Sequence, residues 1–158
     1  MSTAPQQSIA FDDVFPVAQG LLEAESDPIA NMANLSALLY EALPDVNWVG
    51  FYIMRDAELV LGPFQGRLAC TRIPVGRGVC GVAAQSHSVQ RVADVHQFDG
   101  HIACDGATES EIVIPIIVNG AVYGVLDIDS PRKDRFSEDD QQKLVALVKL
   151  LEAVLLAL

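Results

Sequence analysis

The sequence predicts an α+β fold, a central antiparallel sheet with helices packed against it. Three observations carry that prediction. Helical periodicity is strongest at the two ends of the chain, while β-branched and aromatic runs fill the middle. Two of those runs flank Asn119-Gly120, the dipeptide that most strongly marks a two-residue hairpin. No repeat or linker is visible, and 158 residues suit one domain over 1–158, with 1–8 a loose polar tail.

Residues from about Phe11 to Leu43 read as two helices separated by Ser26-Asp27-Pro28. Ser26 or Asp27 can cap the second helix, and Pro28 suits its first position, where a missing N–H costs nothing. Ile29, Met32, Ala33, Ser36, Leu39, Ala42 and Leu43 give that helix one buried stripe, and Pro44 ends it. Strands follow over Asn47–Met54 and Glu58–Phe64, joined by a tight turn at Arg55-Asp56-Ala57. A third extended stretch, Arg72–Gly78, runs into a glycine-bearing loop and a short helix over Val79–Ser86. A brief strand over Gln90–Val95 precedes a long loop from His96 to Ser110. The hairpin strands are Glu111–Val118 and Ala121–Asp129, with Pro115 marking a strand edge or a bulge. Ser137 caps a last helix with Glu138, Asp139 and Asp140 in its first turn, the sign that suits the helix dipole. Leu144, Leu147, Val148, Leu151, Val154 and Leu155 line its apolar side, extended by Leu150 and Leu158. Terminal helices this apolar predict a homodimer that buries their excess surface.

The net charge of −11 would repel nucleic acid and anionic membrane surfaces, so neither is an expected partner. Met1–Gln7 has no charged-then-apolar leader pattern, and Ala153–Leu158 is far too short to span a bilayer. The expected location is the cytoplasm.

Chemistry is concentrated in three cysteines, Cys70, Cys80 and Cys104, in the pattern Cys-x9-Cys-x23-Cys. A reducing compartment argues against a structural disulfide framework, and the spacing is not that of a zinc knuckle or a CxxC redox site. Cys104 sits in a polar loop where reactivity is plausible; the alternative is that all three are small apolar core residues. Asp127 and Asp129 are two apart on a strand and share a face. Either they enter a pocket together with Glu111 of the partner strand, raising one another's pKa, or the strand ends near Leu126 and they face water. Trp48 is either core packing or a wall for a cationic or thioether-like group. His87, His96 and His101 show no metal-ligand spacing, so no metal and no cofactor are expected. His101, three residues before Cys104, is a thiol-activating partner or a loop residue in water. Arg67, Arg72 and Arg77 lower thiol pKa values or are ordinary exposed arginines. Nothing resembles a P-loop, a dinucleotide fingerprint or a catalytic serine motif.

These residues carry a resemblance. Trp48-Val49-Gly50-Phe51-Tyr52, Leu61–Gly66 with Cys70, and Gly76-Arg77-Gly78-Val79-Cys80-Gly81 resemble the GAF-domain free methionine-(R)-sulfoxide reductases. So do Asp99–Asp105, Glu109–Pro115 and Gly124–Ser130, and the likeness spans roughly Phe11 to Leu155. It implies a GAF-like fold and reduction of the R-sulfoxide of free methionine, with thioredoxin restoring the enzyme. Cys104 would attack the sulfoxide sulfur and become a sulfenic acid, Cys70 would resolve it as a disulfide, and Cys80 would be an alternative resolving thiol. Trp48 and Tyr52 would shape the pocket for the S-methyl end. Glu111, Asp127 and Asp129 would bind the substrate ammonium, with Glu111 and Asp129 also helping to protonate the oxygen.

Elementary chemistry asks for the same groups. A sulfoxide oxygen leaves only when protonated, so the site needs an acid besides a thiolate. A sulfenic acid is a reversible oxidation state that condenses with a second thiol. Asp105 beside Cys104 would oppose thiolate formation. A pocket of carboxylates suits a free amino acid and predicts discrimination against N-acylated or peptide substrates. The alternative is a non-catalytic GAF module that binds a small ligand or senses redox state.

Overall fold

A computed structural model describes residues 8–102, 104 and 106–158. The tail expected over 1–8 lies outside the described residues except for Ser8. A 3-10 turn at Phe11–Asp13 leads into α1 (Val14–Ala24), followed by α2 (Pro28–Ala42). Asp27, not Ser26, caps α2: its carboxylate accepts from the Ala30 N–H at 2.9 Å, with Pro28 in the first turn. β1 (Trp48–Arg55) and β2 (Glu58–Gly66) are joined by Asp56 and Ala57, both in the left-handed region at φ 50° and 65°. β3 (Arg72–Pro74), α3 (Gly78–Ser86) and β4 (Gln90–Val92) follow. β5 (Ser110–Val118) and β6 (Ala121–Ser130) form the predicted hairpin, with Asn119 and Gly120 at φ 52° and 77°. Ser137 and Asp140 form a reciprocal capping box at the start of α4 (Glu138–Leu156).

Two expectations need adjusting. The strand expected to reach Val95 stops at Val92, because Asp94 turns back to accept from the His96 N–H at 3.0 Å and caps a 3-10 turn over Val95–Gln97. The loop expected over 96–110 therefore opens with helical structure. Pro115 stays in register with Val125 of β6. It is tolerated because β4 pairs only with Glu111, Ile112 and Val113, so no ladder on that side needs its N–H. The bulge falls one step later, between Ile116 and Ile117.

The six strands run in the order β3-β2-β1-β6-β5-β4, and every neighbouring pair is antiparallel. Strand alternation gives the sheet two unlike faces. Val49 and Phe51 of β1, Ile112, Ile114 and Ile116 of β5, and Leu126 and Ile128 of β6 pack with α1, α2 and α4 in one apolar core. The other face, under α3, carries a smaller cluster around Trp48, Tyr52, Cys80, Val113 and Val125.

Candidate active site

The residues between those core positions build the site. Register places Trp48 opposite Asp129, and Asp129 opposite Glu111, in one row across β1, β6 and β5. The next row holds Gly50, Asp127 and Val113. Gly50 is required here: a Cβ at that position would stand 2.7 Å from the Trp48 ring. The indole therefore lies over the strand, stacked on Phe64 at 5.3 Å and on Tyr52 at 5.9 Å between ring centroids.

The polar ends of these two aromatics hold the segment that carries Cys70. Trp48 Nε1–H donates to the Arg67 carbonyl at 3.2 Å, and the Tyr52 hydroxyl donates to the Cys70 carbonyl at 2.9 Å. Gly78 opens α3 at φ 63°, and Ile102 packs over it, 3.2 Å from where a Cβ would stand. Two residues beyond Ile102, Cys104 is joined to Cys70 by a disulfide with Cα atoms 5.6 Å apart. Cys80 is a free, buried thiol in the first turn of α3.

Trp48, Tyr52, Cys80, His101, Cys104, Glu111, Asp127 and Asp129 line one cavity of about 50 Å³. That is room for a few waters at about 10–15 Å³ each, and it is closed on one side by the disulfide-bearing segments. Both acids of the strand-face prediction line the pocket, Asp127 only 5% exposed and Asp129 half-buried, and Glu111 joins them, so the water-facing alternative fails. Burial pushes the Glu111 carboxyl well up from its ordinary value, and the Asp127 charge pushes it further. Burial raises Asp127 in the same way, aided by Asp129. One Asp127 oxygen is buried with no hydrogen-bond donor among the described residues, as expected where acceptors face each other and a proton must lie between them. Burial also raises the Cys80 thiol, with Asp127 adding to it, so the helix N-terminus does not make a thiolate of it. Tyr52 is raised by the same two causes and stays a neutral donor.

The remaining sequence candidates separate. His101 lines the cavity, and burial followed by the nearby His96 holds its pKa down, favouring the neutral ring. His96 pairs with Glu109 at 3.3 Å, and His87 caps the far end of α3 in the left-handed region. The three histidines therefore do not assemble a metal site. Cys80, Glu111 and Asp127 do bring one ligand atom each within 4.8 Å of one another, as do Asp94, His96 and Glu109. Arg72 pairs with Glu58 at 2.5 Å, while Arg67 and Arg77 are exposed. Asp105 lies outside the described residues. Sequence reasoning missed Phe64, Ile102 and Thr108, the last a cavity residue whose hydroxyl accepts from Asn47 Nδ2 at 3.2 Å. Only the strand run ending in Phe64 gave a signal, an aromatic two residues after a glycine.

Comparisons with known proteins place the chain in a family. The GAF domain model matches residues 21–155. The Escherichia coli free methionine-R-sulfoxide reductase is 58% identical over 135 residues, 85% of this chain and 82% of that one. The chain belongs to the GAF-domain free methionine-R-sulfoxide reductase family. Within that family, a structure of Staphylococcus aureus fRMsr in complex with substrate is 48% identical, with a TM-score of 0.88 over 97% of this chain and 99% of that one. The Neisseria meningitidis free methionine-R-sulfoxide reductase in complex with its substrate is 43% identical, with a TM-score of 0.89 over 98% and 93%. The family's fold is thus the six-stranded antiparallel sheet and four helices described above.

Proposed function

We propose that this chain reduces the R-sulfoxide of free L-methionine to methionine by thiol chemistry at Cys104. The observation that carries the reading is the Cys70–Cys104 disulfide beside a cavity holding three carboxyl groups, in a chain so similar to reductases of that substrate. In the reduced enzyme the Cys104 thiolate attacks the sulfoxide sulfur. The oxygen takes a proton from the Glu111–Asp127–Asp129 cluster, in which burial shifts Glu111 and Asp127 toward the protonated form. A second proton lets the S–O bond break with loss of water, leaving Cys104 Sγ bonded to the methionine sulfur as a sulfonium. Water then attacks Cys104 Sγ and gives a proton back, methionine leaves with the bonding pair, and Cys104 remains as a sulfenic acid, so the two electrons have come from its sulfur. The Cys70 thiolate then attacks Cys104 Sγ, water departs, and the disulfide forms.

Within the cluster, Glu111 and Asp129, facing each other across β5 and β6, serve the oxygen, while Asp127 joins them in holding the substrate ammonium. Glu111 and Asp127, both raised, titrate as a coupled pair. Trp48 and Tyr52 form the wall for the S-methyl end. Cys80 is the slower, alternative resolving thiol, because its raised pKa leaves little thiolate. Thioredoxin is the proposed reductant, the cytoplasm the proposed location, and residues 1–158 one catalytic domain. Among the described residues, no helix is long and apolar enough to cross a membrane. A homodimer is proposed from Phe15, Val17, Tyr40, Leu156 and Leu158, apolar side chains left exposed on or beside α1, α2 and α4.

The test follows NADPH consumption through thioredoxin and its reductase, with the separated R and S epimers of free methionine sulfoxide. Turnover of the R epimer alone, lost in Cys104→Ser, is the expected result. Binding without turnover by fully reduced protein would replace this reading with a ligand-binding GAF module.

A further inference from the structure

Positive charge is segregated in this acidic chain. From Pro63 to Ala93 the sequence holds Arg67, Arg72, Arg77 and Arg91 and no Asp or Glu, although the whole chain has 21 acids against 10 bases. Two of the four are occupied. Arg91 donates to the Gln141 side chain at 3.0 Å and to the Phe136 carbonyl, and Arg72 pairs with Glu58. Arg67 and Arg77 are exposed and join none of the ion pairs among the described residues. Next to Arg67 stands Leu68, 90% exposed and the most exposed large apolar side chain among the described residues. It lies two residues before Cys70. An apolar side chain this open, next to the exposed Arg67 and two residues from a redox disulfide, suits a transient protein contact.

The two sulfurs of the disulfide are also unlike. Cys104 lines the cavity with Glu111, Asp127 and Asp129; Cys70 is outside that lining, although Leu68 and Ala69 just before it form part of the wall. An incoming thiolate would meet buried carboxyl groups behind Cys104 and an arginine-bearing open segment at Cys70. Access and charge decide which sulfur is attacked.

We propose that the segment from Arg67 to Cys70, with Arg77 next to Gly78 of the same cavity wall, is the docking surface for an acidic dithiol protein whose thiolate attacks Cys70 Sγ. The inference rests on the recycling step proposed above and adds its place and direction. In the first exchange, a bond forms between the partner's sulfur and Cys70 Sγ as the Cys70–Cys104 bond breaks. Cys104 leaves as a thiolate, the form needed for the next sulfoxide. The partner's second thiol then attacks its own bridged sulfur and releases Cys70. Two electrons and two protons pass from the dithiol to the pair.

The test compares two reductants on the holoenzyme: an acidic thioredoxin with its reductase and NADPH, and dithiothreitol. The double variant Arg67→Glu/Arg77→Glu should raise the KM for thioredoxin about tenfold at low salt, less at high salt, with the dithiothreitol-driven rate unchanged. Leu68→Ser should lower the ratio of the thioredoxin-driven to the dithiothreitol-driven rate. A thioredoxin lacking its second cysteine should be trapped on Cys70, as located by peptide mass spectrometry. An unchanged thioredoxin KM in both variants, or trapping on Cys104, would overturn the proposal while leaving the reductase reading intact. If wild type is inactive with dithiothreitol as well, the reductase reading itself falls, and this proposal with it.

Discussion

The two faces of the sheet are made by the same strands and do opposite work. On β6, Leu126 and Ile128 are fully buried against the helices, while Asp127 and Asp129, one residue away from each, line the cavity. On β5, Ile112 and Ile114 face the core and Glu111 faces the site; on β1, Val49 and Phe51 alternate with Trp48 and Tyr52. Each large core side chain stabilises the fold by about 1.5–3 kcal/mol. Each buried acid opposes it unless it keeps a proton or finds a partner. The difference teaches how a small domain tolerates three clustered carboxyl groups. The apolar face offsets their burial through the same backbone, and the period of two keeps the tasks separate.

Neighbouring substitutions on β6 should therefore have opposite signatures. Asp127→Asn is expected to lower kcat/KM by roughly 10–100-fold, mainly through KM, the range of a lost charge-assisted contact with the substrate ammonium, while the protein unfolds at higher denaturant. Leu126→Ala should cost about 2–5 kcal/mol of stability, with the KM for methionine sulfoxide little changed. Steady-state kinetics and urea denaturation of the two variants check this. If Asp127→Asn proved destabilising and active, the division between the faces would be wrong.

The pH dependence of stability sharpens the same contrast. Glu111 and Asp127 are raised above their ordinary values of 4.5 and 3.8 in the folded protein. Above about pH 4 the unfolded chain gives up protons that the folded chain keeps, so these two groups make stability fall as pH rises toward their raised values. The drop in urea midpoint between pH 5 and pH 8 should shrink in Glu111→Gln and Asp127→Asn. A drop as large as in wild type would mean that the pair is ionised when folded. The smallest expected effect is that of Tyr52→Phe, which removes the hydrogen bond to the Cys70 carbonyl and should cost about 0.5–1.5 kcal/mol.

What was legible in the sequence follows the same logic of range. Alternation within β6 and β5, the Asn-Gly turn and the Ser137 cap are local signals, and they placed Asp127, Asp129 and Glu111 on one face. The motifs of the family added the cysteine roles and the aromatic wall. Phe64 was missed because its stacking on Trp48 depends on the irregular register of β1 with β2 after Gly50. The seat of Ile102 on Gly78 and the Asn47–Thr108 contact join segments far apart in sequence, with no period to announce them. The choice of Cys70 over Cys80 as the disulfide partner was likewise invisible in spacing. It follows from the Tyr52 and Trp48 hydrogen bonds that hold the 67–70 segment beside Cys104 while Cys80 stays buried in α3.

The central claim is that Cys104 delivers the two electrons and Cys70 only resolves the product. It is tested most directly in reduced Cys70→Ser, with Cys80 also replaced by Ser, mixed with free methionine-R-sulfoxide and no added reductant. One methionine per site, together with a sulfenic acid trapped by dimedone on Cys104, is the predicted result. No methionine, with Cys104 left as a thiol, would contradict it.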